Sequence, residues 1–395
     1  MQQVFYIYTK HCPLPPPPKT KGQVRLHYQL PFAFCFRLMN RWVPACSSFL
    51  LACCVAFAVQ LFFFSPISTP DLLLLPPAST LSTNKKLQQV IKQGEGFVEG
   101  PEDVWVDKEG VVYTASRNGW IQRMHVNGTW ENWKKIDSNN LLGITITKEG
   151  SLIVCDAEQG LLKVTDDDIK VLVSHVDGSK IRFADEVIEA ADGSLYFSAA
   201  STKFGLHDWY LDVLEAKPHG QLLKYDPSRD ETSILLDGLC FPNGVALSKE
   251  EDYLVFCETW RFRCSKYWLK GKNKGTLEVL VENLPGGPDN INVAPDGSFW
   301  IALLQLTSPR LEFVHTSMPT KYFVASNQKL VNLVRGVYQK ASVVKVAADG
   351  QITRKFDDPD GKVMNFVTSA FEYEEHLYLG SLTANFIGKI PLKAG

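Results

Sequence analysis

The chain has 395 residues, 45% hydrophobic and 11% aromatic, enough apolar material for a large folded core and too much for a disordered protein. Its formal net charge is −2, but all six charged residues of 1–64 are basic, so the remainder carries 35 basic against 43 acidic residues, net −8. An acidic body argues against a nucleic-acid partner.

Residues 1–41 read as a basic, disordered N-terminal segment around a proline run at 13–18. Residues 42–64, WVPACSSFLLACCVAFAVQLFFF, carry no charge. As a helix they would span roughly 34 Å, enough for a bilayer. The basic residues precede this stretch, so the body that follows is expected on the lumenal side. The segment reads as a signal-anchor or a signal peptide. Phe62–Phe64 and Pro66 make a poor cleavage site and favour the uncleaved anchor. Met39 is an alternative start that would leave an ordinary targeting segment. Residues 65–84, rich in Pro, Ser and Thr, read as a linker, and 85–395 as the folded body. The expected location is the secretory pathway: endoplasmic reticulum lumen, vacuole or cell exterior, with membrane attachment through 42–64. Asn127-Gly128-Thr129 is a glycosylation sequon in a turn-like stretch, usable on the lumenal side.

Of nine cysteines, Cys155, Cys240, Cys257 and Cys264 fall in the body, at spacings that fit no zinc motif. In an oxidising lumen Cys257 and Cys264 can bridge across a hairpin; otherwise they are small buried apolar residues.

From residue 97 a phrase recurs: a polar opening, an alternating strand, a turn and a second strand. It reads GPEDVWVDKEGVVYTAS (100–116), NLLGITITKEGSLIVCD (140–156), RFADEVIEAADGSLYFS (182–198) and CFPNGVALSKEEDYLVFCE (240–258). It returns within LPGGPDNINVAPDGSFWIAL (284–303) and as NFVTSAFEYEEHLYLGS (365–381). Further strands such as GQLLKYDP and KYWLKG follow several copies. Six such units with almost no helical periodicity predict an all-β, six-bladed β-propeller behind the apolar N-terminal segment. Longer gaps near 201–218 and 305–340 predict insertions on one face. Gln88–Val98 is expected to supply a strand to the last blade and close the ring.

Aligned on their turns, the copies place polar residues in register. Counting back eight from Gly110, Gly193 and Gly297 gives Glu102, Asp185 and Asp289, and from Glu251, standing in the fourth turn, gives Asn243. The same count from Gly150 gives Leu142, and the sixth copy gives Val367 or Thr368. In a propeller these positions open the innermost strands and converge on the axis. Three facing carboxylates are unfavourable unless a cation neutralises them or one is protonated. Oxygen donors without Cys or His select a hard cation, and Ca²⁺ suits four of them better than Zn²⁺. One Ca²⁺ in the channel is therefore expected.

The segments FADEVIEAADGSLYFS, GQLLKYDP, FPNGVALS and KYWLKG resemble the calcium-dependent phosphotriesterase superfamily of paraoxonase-like and gluconolactonase-like six-bladed propellers. Within it the chain is most similar to plant strictosidine synthase-like proteins over 85–392. The resemblance implies metal ligands at Glu102, Asp185, Asn243 and Asp289, joined by Asn290 in paraoxonase-like members. Asp185 departs from the asparagine usual there and adds a negative charge. True strictosidine synthase uses a sixth-blade glutamate, whose place falls here on Thr368. Threonine cannot act as a carboxylate acid/base, and Glu372 lies four residues further along the strand.

These readings converge on a monomeric, lumenal, calcium-dependent hydrolase of small-molecule esters or lactones, of arylesterase or lactonase type, with phosphotriesters as a further class. Asp289 is the expected catalytic group and His207, in the insertion of copy three, a second. Trp209, Tyr210, Trp260 and Phe262 are candidates for an apolar substrate wall. The alternatives are a non-catalytic propeller that binds partners at the membrane, or a condensing enzyme of the strictosidine synthase type.

Overall fold

The predicted turns close six antiparallel hairpins. Asp107, Asp192, Asp296 and Asp349 each accept a hydrogen bond from the backbone N–H two residues on. Gly110 follows Asp107 by three residues, and Gly193, Gly297 and Gly350 directly follow the other three; all four glycines hold φ between +81° and +88°. That left-handed backbone disfavours other residues. In the fourth copy Glu251 takes the left-handed conformation at φ +53°, and the Ser248 hydroxyl accepts from Asp252 and Tyr253 in place of an aspartate.

The computed structural model describes residues 32–77, 81–304, 309–327, 329–331 and 340–393, with side chains from Ser47 and, in the second insertion, from Glu312. Most of the basic N-terminal segment lies outside these residues. The body comprises six four-stranded antiparallel sheets, as expected of a six-bladed propeller. Their inner strands are Val104–Val106, Leu141–Ile146, Ala184–Glu189, Pro242–Leu247, Gly287–Val293 and Val367–Tyr373, in blades 1 to 6. The sixth blade is completed by Ile91–Gln93, which pairs with Ile387–Pro391, so the ring closes with a strand from the N-terminal side as the sequence predicts. Apolar side chains between successive blades form the core. Phe197, Phe256, Phe299 and Trp300 are among its largest fully buried members.

Both gaps in the repeat carry helices. The first holds α2 (Trp209–Glu215); the second holds α3 (Pro309–His315) and α4 (Met318–Ala325). Residues 65–77, expected as a linker, pack against the body instead. Ile67 joins a cluster with Phe204, Tyr210 and Val314, and Leu73 joins the neighbouring core. The buried carboxylate of Glu215 accepts from the Ser68 N–H at 3.0 Å, from Lys203 at 2.6 Å and pairs with His219 at 2.9 Å. Pro70 is buried as well, and the Asp71 N–H donates to the Glu215 carbonyl at 2.9 Å. Asn84 continues the attachment through Asp357 and Lys355.

All but the last residue of the apolar N-terminal stretch lies in α1 (Phe32–Phe63), and the helix as far as Val59 falls in a separate compact unit. Among the described residues no helix is long and apolar enough to cross a membrane. The part with described side chains, from Ser47, covers roughly 25 Å against a hydrocarbon core of about 30 Å.

Cys257 and Cys264 are register partners on adjacent strands of blade 4 and are joined by a disulfide. Cys155 and Cys240 are free and buried. Asn127 is exposed in a hairpin turn, its Oδ1 accepting from Thr129.

Candidate functional site

The inner strands are irregular where the turn count places the polar residues. Their register shifts between Ala184 and Val187, Pro242 and Val245, and Pro288 and Ile291. The intervening residues include Asp185, Asn243, Asp289 and Asn290. A bulge leaves a residue unpaired and re-aims its side chain, here toward the channel rather than into the interblade core. Two glycines let the strands come close enough. A Cβ at Gly143 would lie 2.6 Å from the Asp185 carbonyl, and one at Gly244 would lie 2.5 Å from that of Asp289.

Glu102, Asp185, Asn243 and Asp289 line one cavity of about 570 Å³. All four are at most 4% exposed, and Asn290 beside them is fully buried. Asn243 donates its amide to Asp289, and Asn290 donates to Glu102 at 2.9 Å. Four buried oxygens stay without a hydrogen-bond partner among the described residues: Glu102 Oε2, Asp185 Oδ2, Asn243 Oδ1 and Asn290 Oδ1. Each such atom costs about 1–3 kcal/mol, more when charged.

The electrostatics have the same sign. Burial, then the carboxylates of Asp289, Asp103 and Asp185, push Glu102 well above the usual carboxylate range. Burial pushes Asp185 up to about 8. Asp289 is raised by burial and by Asp185, against the pull of its bond from Asn243. Carboxylates and amide oxygens left unpaired and mutually repelling fit a hard divalent cation. Glu102, Asp185, Asn243, Asp289 and Asn290 are the residues that would hold it. Among the described residues no three His, Cys, Asp or Glu side chains stand close enough to form a metal centre by themselves, so the two asparagines are integral to any such set.

The neighbours of these ligand positions turn the other way and lock the strands. Asp103 accepts from the N–H groups of Val104 at 2.8 Å and Ile144 at 2.9 Å, and from the Ser369 hydroxyl. Ser198 donates to the Asn243 carbonyl at 2.7 Å. Thr368 is buried and donates to the Glu102 carbonyl, so at the sixth-blade position a hydroxyl braces the strand next door. Glu372 sits at the other end of its strand, bound to Trp300 at 2.6 Å and Lys345 at 3.1 Å.

Above the polar floor stands an aromatic wall. Trp209 stacks on Trp260 at 6.3 Å, Trp260 lies 4.4 Å from Phe241, and Phe241 meets Phe183 edge-on at 5.2 Å. All four line the cavity. Tyr210 and Phe262, also expected there, are buried in core clusters instead. Phe183, Phe241 and Phe366 hold φ of +52°, +57° and +47°, two residues before Asp185, Asn243 and Thr368 respectively. Bulky residues there carry backbone strain of about 1–3 kcal/mol. Nothing in the sequence marks these positions. His207 lies on the rim, lining the cavity but exposed. Arg117 lines it too and was not anticipated.

Two family models match: Strictosidine synthase over residues 185–272, and Strictosidine synthase-like, N-terminal, over 80–124. The chain is 33% identical over 346 residues to Protein STRICTOSIDINE SYNTHASE-LIKE 4 of Arabidopsis thaliana, covering 84% of this chain and 91% of that one. It is 32% identical over 336 residues to the Adipocyte plasma membrane-associated protein of Mus musculus, covering 80% of each. A gluconolactonase structure from Xanthomonas campestris matches with TM-score 0.53 at 15% identity, over 76% of this chain and 87% of that one. That likeness shows the fold.

Proposed function

The chain belongs to the strictosidine synthase-like family, and we propose that it is a calcium-dependent hydrolase of esters or lactones rather than a condensing synthase. The observation that carries this reading is the set of four unpartnered buried oxygens on the floor of an aromatic-walled cavity. Bound at those oxygens, Ca²⁺ supplies positive charge against a developing oxyanion. Asp289 is the group that takes the proton of the attacking water, because it lines the cavity and has one oxygen left over after its bond from Asn243. The aromatic wall takes the apolar body of the substrate. His207, at the rim, is placed to meet the leaving group as it exits. Phosphotriesters present the same developing charge and are a second substrate class.

Condensation of the strictosidine synthase type is disfavoured, because the hydroxyl of Thr368 is spent on a backbone carbonyl and no carboxylate stands at its position. The mouse relative is named as a plasma membrane-associated protein. For this chain we read a secretory-pathway protein held at the membrane by 42–64, glycosylated at Asn127 and acting as a monomer.

The test is a hydrolysis screen of lactones, aryl esters and phosphotriesters, with and without chelator. Turnover that disappears with chelator and returns with Ca²⁺ is expected. A calcium-loaded protein inert toward all three classes would sink the hydrolase reading and leave a binding propeller.

A further inference from the structure

Among the arginines with described side chains, Arg117 stands apart. Arg123 pairs with Glu131, Arg229 with Asp226, and Arg261 and Arg263 with Glu258. Arg182 and Arg354 donate to backbone carbonyls. The guanidinium of Arg117 makes no hydrogen bond or ion pair among the described residues, and its Nη1 is buried. Leaving charged donors unspent in a partly dry site is costly.

The chain nevertheless holds this side chain in place. The Arg117 N–H donates to the Glu99 carbonyl at 2.9 Å. Its aliphatic stem lies over Gly100, where a Cβ would approach Arg117 Cγ to 2.6 Å. Of the two carboxylates whose charge reaches it, Glu102 and Asp156, neither bonds it, and Glu102 keeps one oxygen without a partner. Asp156 accepts from the N–H groups of Glu158 and Gln159 and from the Gln159 amide. Glu102 Oε1 is taken by Asn290. Arg117 and the aromatic wall line the same cavity. A guanidinium with free donors matches a carboxylate in plane and in charge.

We propose that Arg117 is a specificity-determining residue that holds a carboxylate on the substrate, so that the cavity prefers anionic aryl or acyl compounds to their neutral counterparts. In its kinetic arm this rests on the hydrolase reading of the same site; in its binding arm it does not.

The test uses the full chain, purified in detergent and loaded with Ca²⁺. Calorimetric titration compares 3-phenylpropionate with 3-phenylpropanamide, which differ only in the carboxylate. The parent should bind the acid about tenfold tighter or better. Arg117→Met should bring the two to parity while keeping the calcium-dependent rise in melting temperature, which shows an intact fold and floor. Arg117→Lys should retain part of the preference. In the kinetic arm, Arg117→Met should raise KM for 4-nitrophenyl hemisuccinate about tenfold more than KM for 4-nitrophenyl butyrate. A parent that binds acid and amide equally, or binds neither, overturns the proposal. So does a preference that survives in Arg117→Met, since the acid would then be held by the cation. If the Arg117-dependent preference is present but neither ester is turned over, the inference stands and the hydrolase reading falls.

Discussion

The two ends of the six inner strands make opposite use of the same geometry. Their N-terminal ends carry Asp185, Asn243 and Asp289 into a cavity of about 570 Å³. Their C-terminal ends carry Glu189, Leu247, Val293 and Glu372 to another of about 410 Å³. At the second mouth the polar groups are spent on joining blades. Glu189 accepts from the Lys148 N–H at 2.7 Å, and Glu251 from the Ala191 N–H at 2.8 Å. Lys249 donates to the Pro295 carbonyl, and Asn292 to that of Ala370. At the first mouth four buried oxygens and a guanidinium are unspent. A concavity alone therefore does not identify a site. Unused hydrogen-bonding capacity inside one does, because each unpartnered group costs stability and a ligand that enters the cavity can supply the missing partner.

The largest expected effect separates the two mouths by turnover. Asp289→Ala should lower hydrolysis about 10²–10⁴-fold, the range for losing a general base. Glu372→Gln, at the other mouth, should leave turnover within a factor of about two. Steady-state kinetics on the best ester or lactone from the screen decides it. Equal losses in both variants would mean that the second cavity carries chemistry.

Calcium should distinguish the mouths next. Saturating Ca²⁺ at 100 times its Kd stabilises a protein by about 2.7 kcal/mol. Chelator should lower the melting midpoint accordingly. Asp185→Asn should raise the midpoint without metal, by removing one of the repelling carboxylates, and should shrink the calcium response. Glu251→Gln should leave that response intact. A parent midpoint indifferent to both Ca²⁺ and EDTA would remove the cation from the site.

The first mouth was partly legible in the sequence. The hairpin turns fix the register, and eight residues back from them the count lands on Glu102, Asp185, Asn243 and Asp289, which line the cavity together. The closing strand, Ile91–Gln93, falls inside the 88–98 stretch expected to supply it, because a ring of repeats needs a last strand from one end of the chain. Arg117 was not, because nothing local separates it from the other surface arginines; only the pairing of their side chains does. The left-handed phenylalanines were illegible for a related reason, since propensity assigns φ > 0 to Gly and Asn. Residues 65–77 read as a linker on composition, while Ile67, Pro70 and Leu73 are buried and Ser68, Thr69 and Asp71 are hydrogen-bonded to the body.

A third kind of polar group sharpens the contrast. His315 on α3 is 1% exposed, both ring nitrogens lack partners among the described residues, and it lines neither cavity. Burial, then the charge of Lys321, lowers its pKa to about 3. The folded chain keeps it neutral while the unfolded chain protonates it near pH 6.5. Its contribution to stability is therefore full above pH 6.5 and is lost as the pH falls from there toward 3. Between pH 7 and 5 the loss should be roughly 2 kcal/mol. Urea unfolding should show this slope in the parent and a flatter one in His315→Phe. Equal slopes would mean that other groups carry the acid sensitivity. The residue thus separates an unpaired group that only taxes the fold from unpaired groups that face a cavity.

The smallest expected effect probes the second mouth on its own terms. Glu189 is half-buried and its carboxylate satisfies one backbone N–H of the neighbouring blade. Glu189→Gln preserves an acceptor oxygen and removes the charge, so it weakens the bond without emptying the position. The cost should be about 0.5–1 kcal/mol, the difference between a charged and a neutral acceptor. Glu189→Ala leaves the Lys148 N–H to water or unpaired and should cost about 1–2 kcal/mol. Neither should alter calcium binding or KM, because the side chain lies at the far end of the strand from Asp185. Chemical denaturation resolves the ordering, and calcium titration of the same samples supplies the control. If Glu189→Ala is as stable as the parent but binds Ca²⁺ more weakly, the two ends of the strand are coupled, and the division of labour between a stapled mouth and an unspent one is wrong.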